Sequence, residues 1–139
     1  MQKRPMSRIL QPLVLALLLT AAPSFALEVS RFTTETPSGL TAELTLEASP
    51  LKTMKATPFT LSLKDDSGAN LSGWGFTCDL TMPAMPMPQN RPKVTAHEQN
   101  YSGYVVFTMA GAWQATFTAR DANQTKIQLV FDIPEVLLK

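Results

Sequence analysis

The strict alternation of apolar and polar residues is the feature that most limits how this chain can fold. Residues 40–47 show it most clearly, with apolar side chains at every second position: Leu40, Ala42, Leu44 and Leu46. Successive side chains of a strand point to opposite faces, so a period of two predicts a strand with one buried and one solvated face. The same pattern predicts strands at residues 28–34, 59–64, 74–81, 93–97, 104–109, 112–120 and 127–133. No segment has a sustained helical period.

Seven or eight short strands in a chain of 139 residues predict an all-β fold. We expect an antiparallel, immunoglobulin-like β-sandwich, with a small closed barrel as the alternative. Residues 110–111 (Ala-Gly) are predicted to connect two strands of a hairpin, and residues 99–103 are predicted to form a turn. Pro134 is predicted to end the last strand because proline has no amide to donate.

The first 26 residues have the pattern of a signal peptide. Lys3, Arg4 and Arg8 precede an apolar run at residues 9–20, and Ser24-Phe25-Ala26 supplies small residues at the cleavage positions. The run is shorter than the roughly 20 apolar residues that span a bilayer. We therefore predict cleavage between Ala26 and Leu27, export to the periplasm if the source is a bacterium, and one mature domain of residues 27–139. Membrane contact would require an uncleaved leader.

The composition excludes several classes of protein. The whole chain has a net charge of +1, which becomes slightly negative once the leader is removed, and no basic block predicts nucleic-acid binding. The chain has one cysteine, so no internal disulfide can form and the fold must depend on its hydrophobic core.

Catalytic residues are scarce. His97 and Cys78 are the only histidine and the only cysteine, and the strand pattern predicts that Cys78 faces the core beside Phe76 and Leu80. The sequence contains no paired carboxylates, no glycine-rich phosphate loop and no zinc or calcium ligand spacing. We therefore predict that the protein is not an enzyme.

Residues 82–88, Met-Pro-Ala-Met-Pro-Met-Pro, form the most unusual segment of the chain, which we call the Met-Pro run. Because its prolines fix φ and lack amide donors, we expect a stiff, extended, polyproline-like loop. A polyproline period of three would place Met82 and Met85 on one side of the loop. A strand-like period of two would instead place Met85 and Met87 together.

Thioethers are soft, neutral ligands that suit Cu(I) and need no deprotonation. The sequence therefore predicts a Cu(I) site formed by Met82, Met85 and Met87, with His97 on the next strand as an imidazole ligand and Met109 as a further thioether. Such a protein would hold copper at its surface and pass it to another protein of the cell envelope.

A different interpretation needs no metal. Met82 continues the apolar face of its strand and would cap the core, while Met85 and Met87 would fill gaps or offer a soft surface to a protein. His97 would then simply face solvent. In this alternative the Met-Pro run is a rigid hydrophobic tip that another envelope protein recognises, and its pre-ordered backbone lowers the entropy cost of binding.

Two sequence segments in this order resemble a known group of proteins. Residues 80–87 read LTMPAMPM and residues 103–113 read GYVVFTMAGAW. Together they resemble the YtkA-like and FixH-like group of small exported or membrane-anchored β-domains, over about residues 59–133. The resemblance implies an immunoglobulin-like sandwich and an association with copper handling or cytochrome oxidase maturation.

This chain departs from that group at two points. Many relatives carry histidines in or next to the methionine loop, whereas the loop of this chain has none, which favours Cu(I) over Cu(II). FixH-like members usually keep a membrane anchor, whereas the leader of this chain has the pattern of a cleavable one. A role in oxidase assembly is therefore not carried over.

Overall fold

The computed structural model describes residues 21–23, 27–120 and 123–139. These residues form eight strands in chain order: β1 Ser30–Glu35, β2 Thr41–Leu46, β3 Thr57–Lys64, β4 Thr77–Thr81, β5 Thr95–Ala96, β6 Tyr101–Val105, β7 Gly111–Arg120 and β8 Lys126–Val136. Within them no helix is long and apolar enough to cross a membrane. Most of the predicted leader, including Ala26 at the predicted cleavage point, lies outside the described residues, and Leu27 is exposed.

The strands form two antiparallel sheets, which confirms the predicted all-β sandwich. One sheet has five strands in the order β1-β2-β3-β6-β5, and the other has three in the order β4-β7-β8. The pairing of β1 with β2 and of β2 with β3 incorporates the N-terminal part of residues 27–139 into the sandwich.

The core lies between the sheets and is built by the inward side of each alternating strand. Ring pairs join the two layers: Phe59 of β3 meets Phe117 of β7 at 5.7 Å between centroids, and Phe76 meets Tyr101 at 4.8 Å. Burying one such side chain contributes roughly 1.5–3 kcal/mol. The other buried side chains that fill the core include Leu44, Leu61, Leu63, Leu80, Phe107, Trp113, Leu129, Phe131 and Ile133.

The connection at residues 110–111 is not a hairpin, so that prediction is wrong. β6 pairs with β3 in the larger sheet, whereas β7 pairs with β4 and β8 in the smaller one. The chain crosses between the sheets at Gly111, where φ is +126° and the register with β8 shifts. The predicted turn at residues 99–103 is also partly strand, since β6 begins at Tyr101 and ends at Val105.

β8 runs past Pro134 to Val136, so the prediction that Pro134 ends the strand is wrong as well. β8 is an edge strand, and residue 134 has no partner in the register with β7. A missing amide at such a position removes no hydrogen bond from the sheet, so proline is tolerated.

Candidate functional site

The Met-Pro run is part of a closed loop that begins where β4 ends. The Leu80 amide donates to the Asn90 carbonyl at 2.8 Å, and the Asn90 side-chain amide donates to the Val106 carbonyl at 2.9 Å. Arg91 and Asp79 add an exposed ion pair at 2.7 Å. Asn90 therefore fixes the base of the loop to both sheets. The role of Asn90 was not predicted from the sequence, because an asparagine that follows a proline-rich segment indicates only a loop.

The first half of the run is a turn and not an extended polyproline-like segment, which corrects the prediction. The Met85 amide donates to the Met82 carbonyl at 3.2 Å, with Pro83 and Ala84 between them. Proline suits the second position of such a turn because its fixed φ is the one that this position requires. The turn brings the backbones of Met82 and Met85 to within about 7 Å of each other.

Met82 belongs to the core as well as to the loop. Its side chain is only 8% exposed, and its Cε lies 3.2 Å from the position that a Cβ at residue 111 would occupy. Gly111 leaves that space free. The Met82 side chain therefore lies against the loop that connects β6 to β7.

Met109 lies in that same loop, two residues before Gly111, and its side chain is 36% exposed. Its carbonyl accepts a hydrogen bond of 2.9 Å from the indole Nε1 of Trp113. Trp113 is buried and packs edge-on against Phe107 at 5.4 Å between ring centroids. The core thus holds the backbone of Met109 close to Met82.

Met87 lies further along the run and packs partly against the core. It lines a shallow groove with five neighbours: Pro88, Gln89, Asn90, Val106 and Thr108. Thr108 precedes Met109, so Met87 lies beside the loop that carries Met109. Met54, which sequence reasoning did not select, is at this end too, and its amide donates to the Phe107 carbonyl at 2.8 Å.

All five methionines of the described residues therefore lie in loops at one end of the sandwich: Met54, Met82, Met85, Met87 and Met109. We call this the methionine end. Three of them are exposed, namely Met54, Met85 and Met109. Every methionine that the sequence selected therefore lies at the same end of the sandwich.

The structure does not bring His97 to this end. His97 follows β5, its amide donates to the Asn100 carbonyl at 2.8 Å, and its Nε2 lies 2.6 Å from the Ser102 hydroxyl. Ser102 and Val106 are four residues apart on and just beyond β6, which separates them by about 13 Å at the strand rise. His97 is exposed at the opposite end of the sandwich.

Cys78 is buried as predicted, with 1% of its surface exposed. Burial, with a smaller contribution from the charge of Asp79, raises the pKa of its thiol to about 12. At neutral pH the side chain is therefore a protonated thiol within the core. Within residues 21–23, 27–120 and 123–139, no three His, Cys, Asp or Glu side chains are grouped as a metal site would group them.

Comparison with known proteins gives one positive result. The model of the YtkA-like family matches residues 34–118, which is more than half of the chain. No curated protein and no solved structure matches. The matched range begins within β1 and includes the Met-Pro run, Asn90, Met109 and Gly111. The chain therefore belongs to the YtkA-like family.

Proposed function

We propose that this protein binds Cu(I) as cargo at the methionine end and passes it to a partner without catalysis. The observation that carries the proposal is the gathering of five thioethers at one end of the sandwich, in loops that come from three separate parts of the chain. Packing of the core explains the buried Met82. It does not explain why the exposed Met85 and Met109 lie at the same end of the sandwich.

The donor set fits a soft monovalent ion. Thioethers bind Cu(I) in preference to hard cations, and they bind it without releasing protons. Because neutral sulfurs do not cancel the ionic charge, burying the ion completely would carry a large desolvation cost. Met85 and Met109 are 46% and 36% exposed, which keeps the bound ion at the surface and open to exchange. Met82 would contribute a sulfur from the core side.

The proposed setting is the bacterial periplasm, reached through the leader of residues 1–26. An oxidising compartment would convert exposed cysteine ligands to disulfides, whereas thioethers cannot pair in this way. N-terminal sequencing of the protein recovered from the periplasmic fraction tests the setting. The expected first residue is Leu27, and recovery of an intact leader on a membrane-bound protein would contradict it.

A titration tests copper binding. The mature protein is titrated anaerobically with Cu(I) against a competing chelator, and the experiment is repeated with the double variant Met85→Leu, Met109→Leu. Both positions are exposed and leucine has nearly the volume of methionine, so the fold should be little affected. We expect the wild type to compete for copper and the double variant to lose most of its affinity.

A matched control is Thr108→Val, which changes an exposed side chain next to Met109 without touching a thioether. It should compete for copper as the wild type does. The copper proposal is wrong if the wild type fails to compete, or if the double variant competes equally well.

The second candidate is an interaction module that recognises another envelope protein through the methionine end. The observation in its favour is the exposure of Leu137 and Leu138, 38% and 76%, directly after β8 at this end. An apolar contact depends on shape and area but not on sulfur. If this second function is right, the Met85→Leu, Met109→Leu variant should still bind the partner protein. If the copper function is right, the same variant should no longer exchange copper.

A further inference from the structure

We propose that Met54 is an additional ligand of the Cu(I) site and is the exposed point at which the ion exchanges with a partner. This inference rests on the copper binding proposed above and extends it to a residue outside the Met-Pro run. Met54 lies between β2 and β3, whereas Met82 and Met109 come from the loops that follow β4 and β6.

The position of Met54 is fixed by hydrogen bonds on both sides of the loop. Its own amide donates to the Phe107 carbonyl at 2.8 Å. The amide of the preceding Thr53 donates to the Leu137 carbonyl at 2.9 Å, and the Thr53 hydroxyl accepts from the Lys139 amide at 3.2 Å. Thr53 is 3% exposed, so the backbone beside Met54 is anchored although its side chain is not buried.

These contacts place Met54 within reach of Met109. Hydrogen-bonded residues on neighbouring segments have Cα atoms about 5.5 Å apart, and two residues of extended chain add at most about 7 Å. The hydrogen bond from Met54 to Phe107 and the two residues from Phe107 to Met109 therefore keep the Cα atoms of Met54 and Met109 within roughly 13 Å of each other. Two unbranched side chains, each with three rotatable bonds, can bring their sulfurs to one ion across that gap.

Neither backbone geometry nor burial accounts for a methionine at this position. Met54 has φ of +56°, a left-handed conformation in which glycine or asparagine is more favourable than a long apolar side chain. The side chain is 63% exposed, so it gains little from the hydrophobic effect. Unfavourable backbone conformations of this kind concentrate at functional sites, where the side chain matters more than the strain. The thioether is the property that the residue supplies.

The surroundings of Met54 favour release of a bound Cu(I) ion over its retention. Its 63% exposure exceeds the 46% of Met85 and the 36% of Met109. Lys52 and Lys55 lie within two residues, and Lys139 is joined to Thr53 by its backbone. Glu28 and Glu47 line the adjacent hollow together with Lys52 and Lys55, so this surface carries charges of both signs and the exposure of Met54 is what favours exchange there. A soft donor of the partner can therefore displace Met54 before the inner sulfurs.

The test uses the full mature chain with the variants Met54→Leu and Met54→Asn. Cu(I) affinity is measured by chelator competition, and the number of sulfur neighbours of the bound ion by X-ray absorption. We expect Met54→Leu to bind at least about tenfold more weakly, because even residues that only support metal ligands have effects of that size. The number of sulfur neighbours should fall by one.

Met54→Asn separates loss of a ligand from loss of folding. Asparagine tolerates the left-handed backbone, so this variant should unfold at the same or a higher denaturant concentration while binding copper as weakly as Met54→Leu. The matched control is Leu138→Ala, which removes an exposed apolar side chain at the same end and should bind copper as the wild type does.

The outcomes distinguish this inference from the proposed function. If the wild type binds copper and Met54→Leu binds it equally tightly with the same number of sulfur neighbours, Met54 is not a ligand and the proposed function stands. If Leu138→Ala weakens binding as much as Met54→Leu does, the effect belongs to the apolar surface and the inference fails. If the wild type does not bind copper, both proposals fail.

Discussion

The backbone amide of Leu80 donates to the backbone carbonyl of Asn90 at 2.8 Å, and this bond closes the loop that carries three of the five methionines. Leu80 is buried in the core, so the loop starts from a fixed point. Asn90 is also bonded through its side chain to Val106, beyond the end of β6 in the other sheet. One residue thereby sets the position of the Met-Pro run relative to the loop that holds Met109.

Replacing Asn90 by alanine should therefore affect both stability and binding. The variant loses one hydrogen bond to a partly buried carbonyl, which should lower the free energy of unfolding by about 1 kcal/mol. Copper affinity should fall as well, because the loop is no longer fixed beside Thr108 and Met109. Urea denaturation and chelator competition measure the two effects. Gln89→Ala, an exposed neighbour, is the control, and equal behaviour of the two variants would contradict the role of Asn90.

Gly111→Ala should displace Met82. A Cβ at this position would lie 3.2 Å from the Met82 Cε, and the φ of +126° is unfavourable for any side chain. We expect a loss of about 1–3 kcal/mol in the free energy of unfolding from the backbone conformation. The control is Gly75→Ala, where a Cβ would meet nothing within 4 Å and φ is not in the left-handed region. If both variants unfold at the same urea concentration, neither the φ of Gly111 nor the space that it leaves for Met82 is important for stability.

Gly103→Ala should be more damaging, because β6 has no room for a side chain there. A Cβ on Gly103 would lie 2.7 Å from the Phe59 ring and would also overlap the backbone carbonyl of Lys93. Phe59 is fully packed in the core, so neither group can move away cheaply. We expect thermal unfolding to shift to clearly lower temperature, with partial loss of folded protein. A variant with a wild-type melting temperature would show that the approach of residues 93 and 103 is not essential.

The strand pattern predicted the fold because alternation shows which face of each strand is buried, and this was sufficient to predict the burial of Cys78. It could not show which strands pair, because β3 and β6 are about 40 residues apart in the sequence. A local pattern does not indicate pairing between such distant strands. For the same reason, residues 110–111 looked like a hairpin although the chain crosses between sheets there. The turn at Pro83 was missed because the φ of proline suits both a turn and a polyproline segment.

The separation of His97 from the Met-Pro run could have been inferred from the sequence. One strand lies between them, and a chain that follows a strand from its start to its end arrives at the opposite end of the sheet. Only an even number of intervening strands returns it to the same end. The sequence did predict the extended segment at residues 93–97, so counting strands would have excluded His97 from the loop.

His97→Ala should accordingly leave copper affinity within about twofold of the wild type, because the imidazole lies about 13 Å along β6 from the methionine end. Losing its exposed hydrogen bond to Ser102 should change the free energy of unfolding by no more than about 0.5 kcal/mol. Met109→Leu is the matched comparison, and chelator competition is the measurement. If His97→Ala lost as much affinity as Met109→Leu, the imidazole would be a ligand after all.

The stability of the fold should decline at alkaline pH because of Cys78. Burial raises the pKa of its thiol from an ordinary value of 9.0 to about 12, so the folded protein keeps a proton that the unfolded chain releases. This contribution is complete below pH 9 and is lost as the pH rises towards about 12. Tyr101 acts in the same direction, since burial raises the pKa of its hydroxyl above the ordinary value of 10.0.

Urea denaturation at several pH values from 7 to 11 measures this effect, with Cys78→Ala as the control. The variant should be less stable than the wild type at pH 7, because it leaves a small cavity in the core. Its free energy of unfolding should then fall less steeply above pH 9, and the slope that remains should come from Tyr101, whose pKa is also raised by burial. Because Cys78 ionises only in the unfolded chain across this range, the two stability curves should approach each other as the pH rises. Parallel curves would show that the Cys78 thiol does not contribute to the alkaline loss of stability.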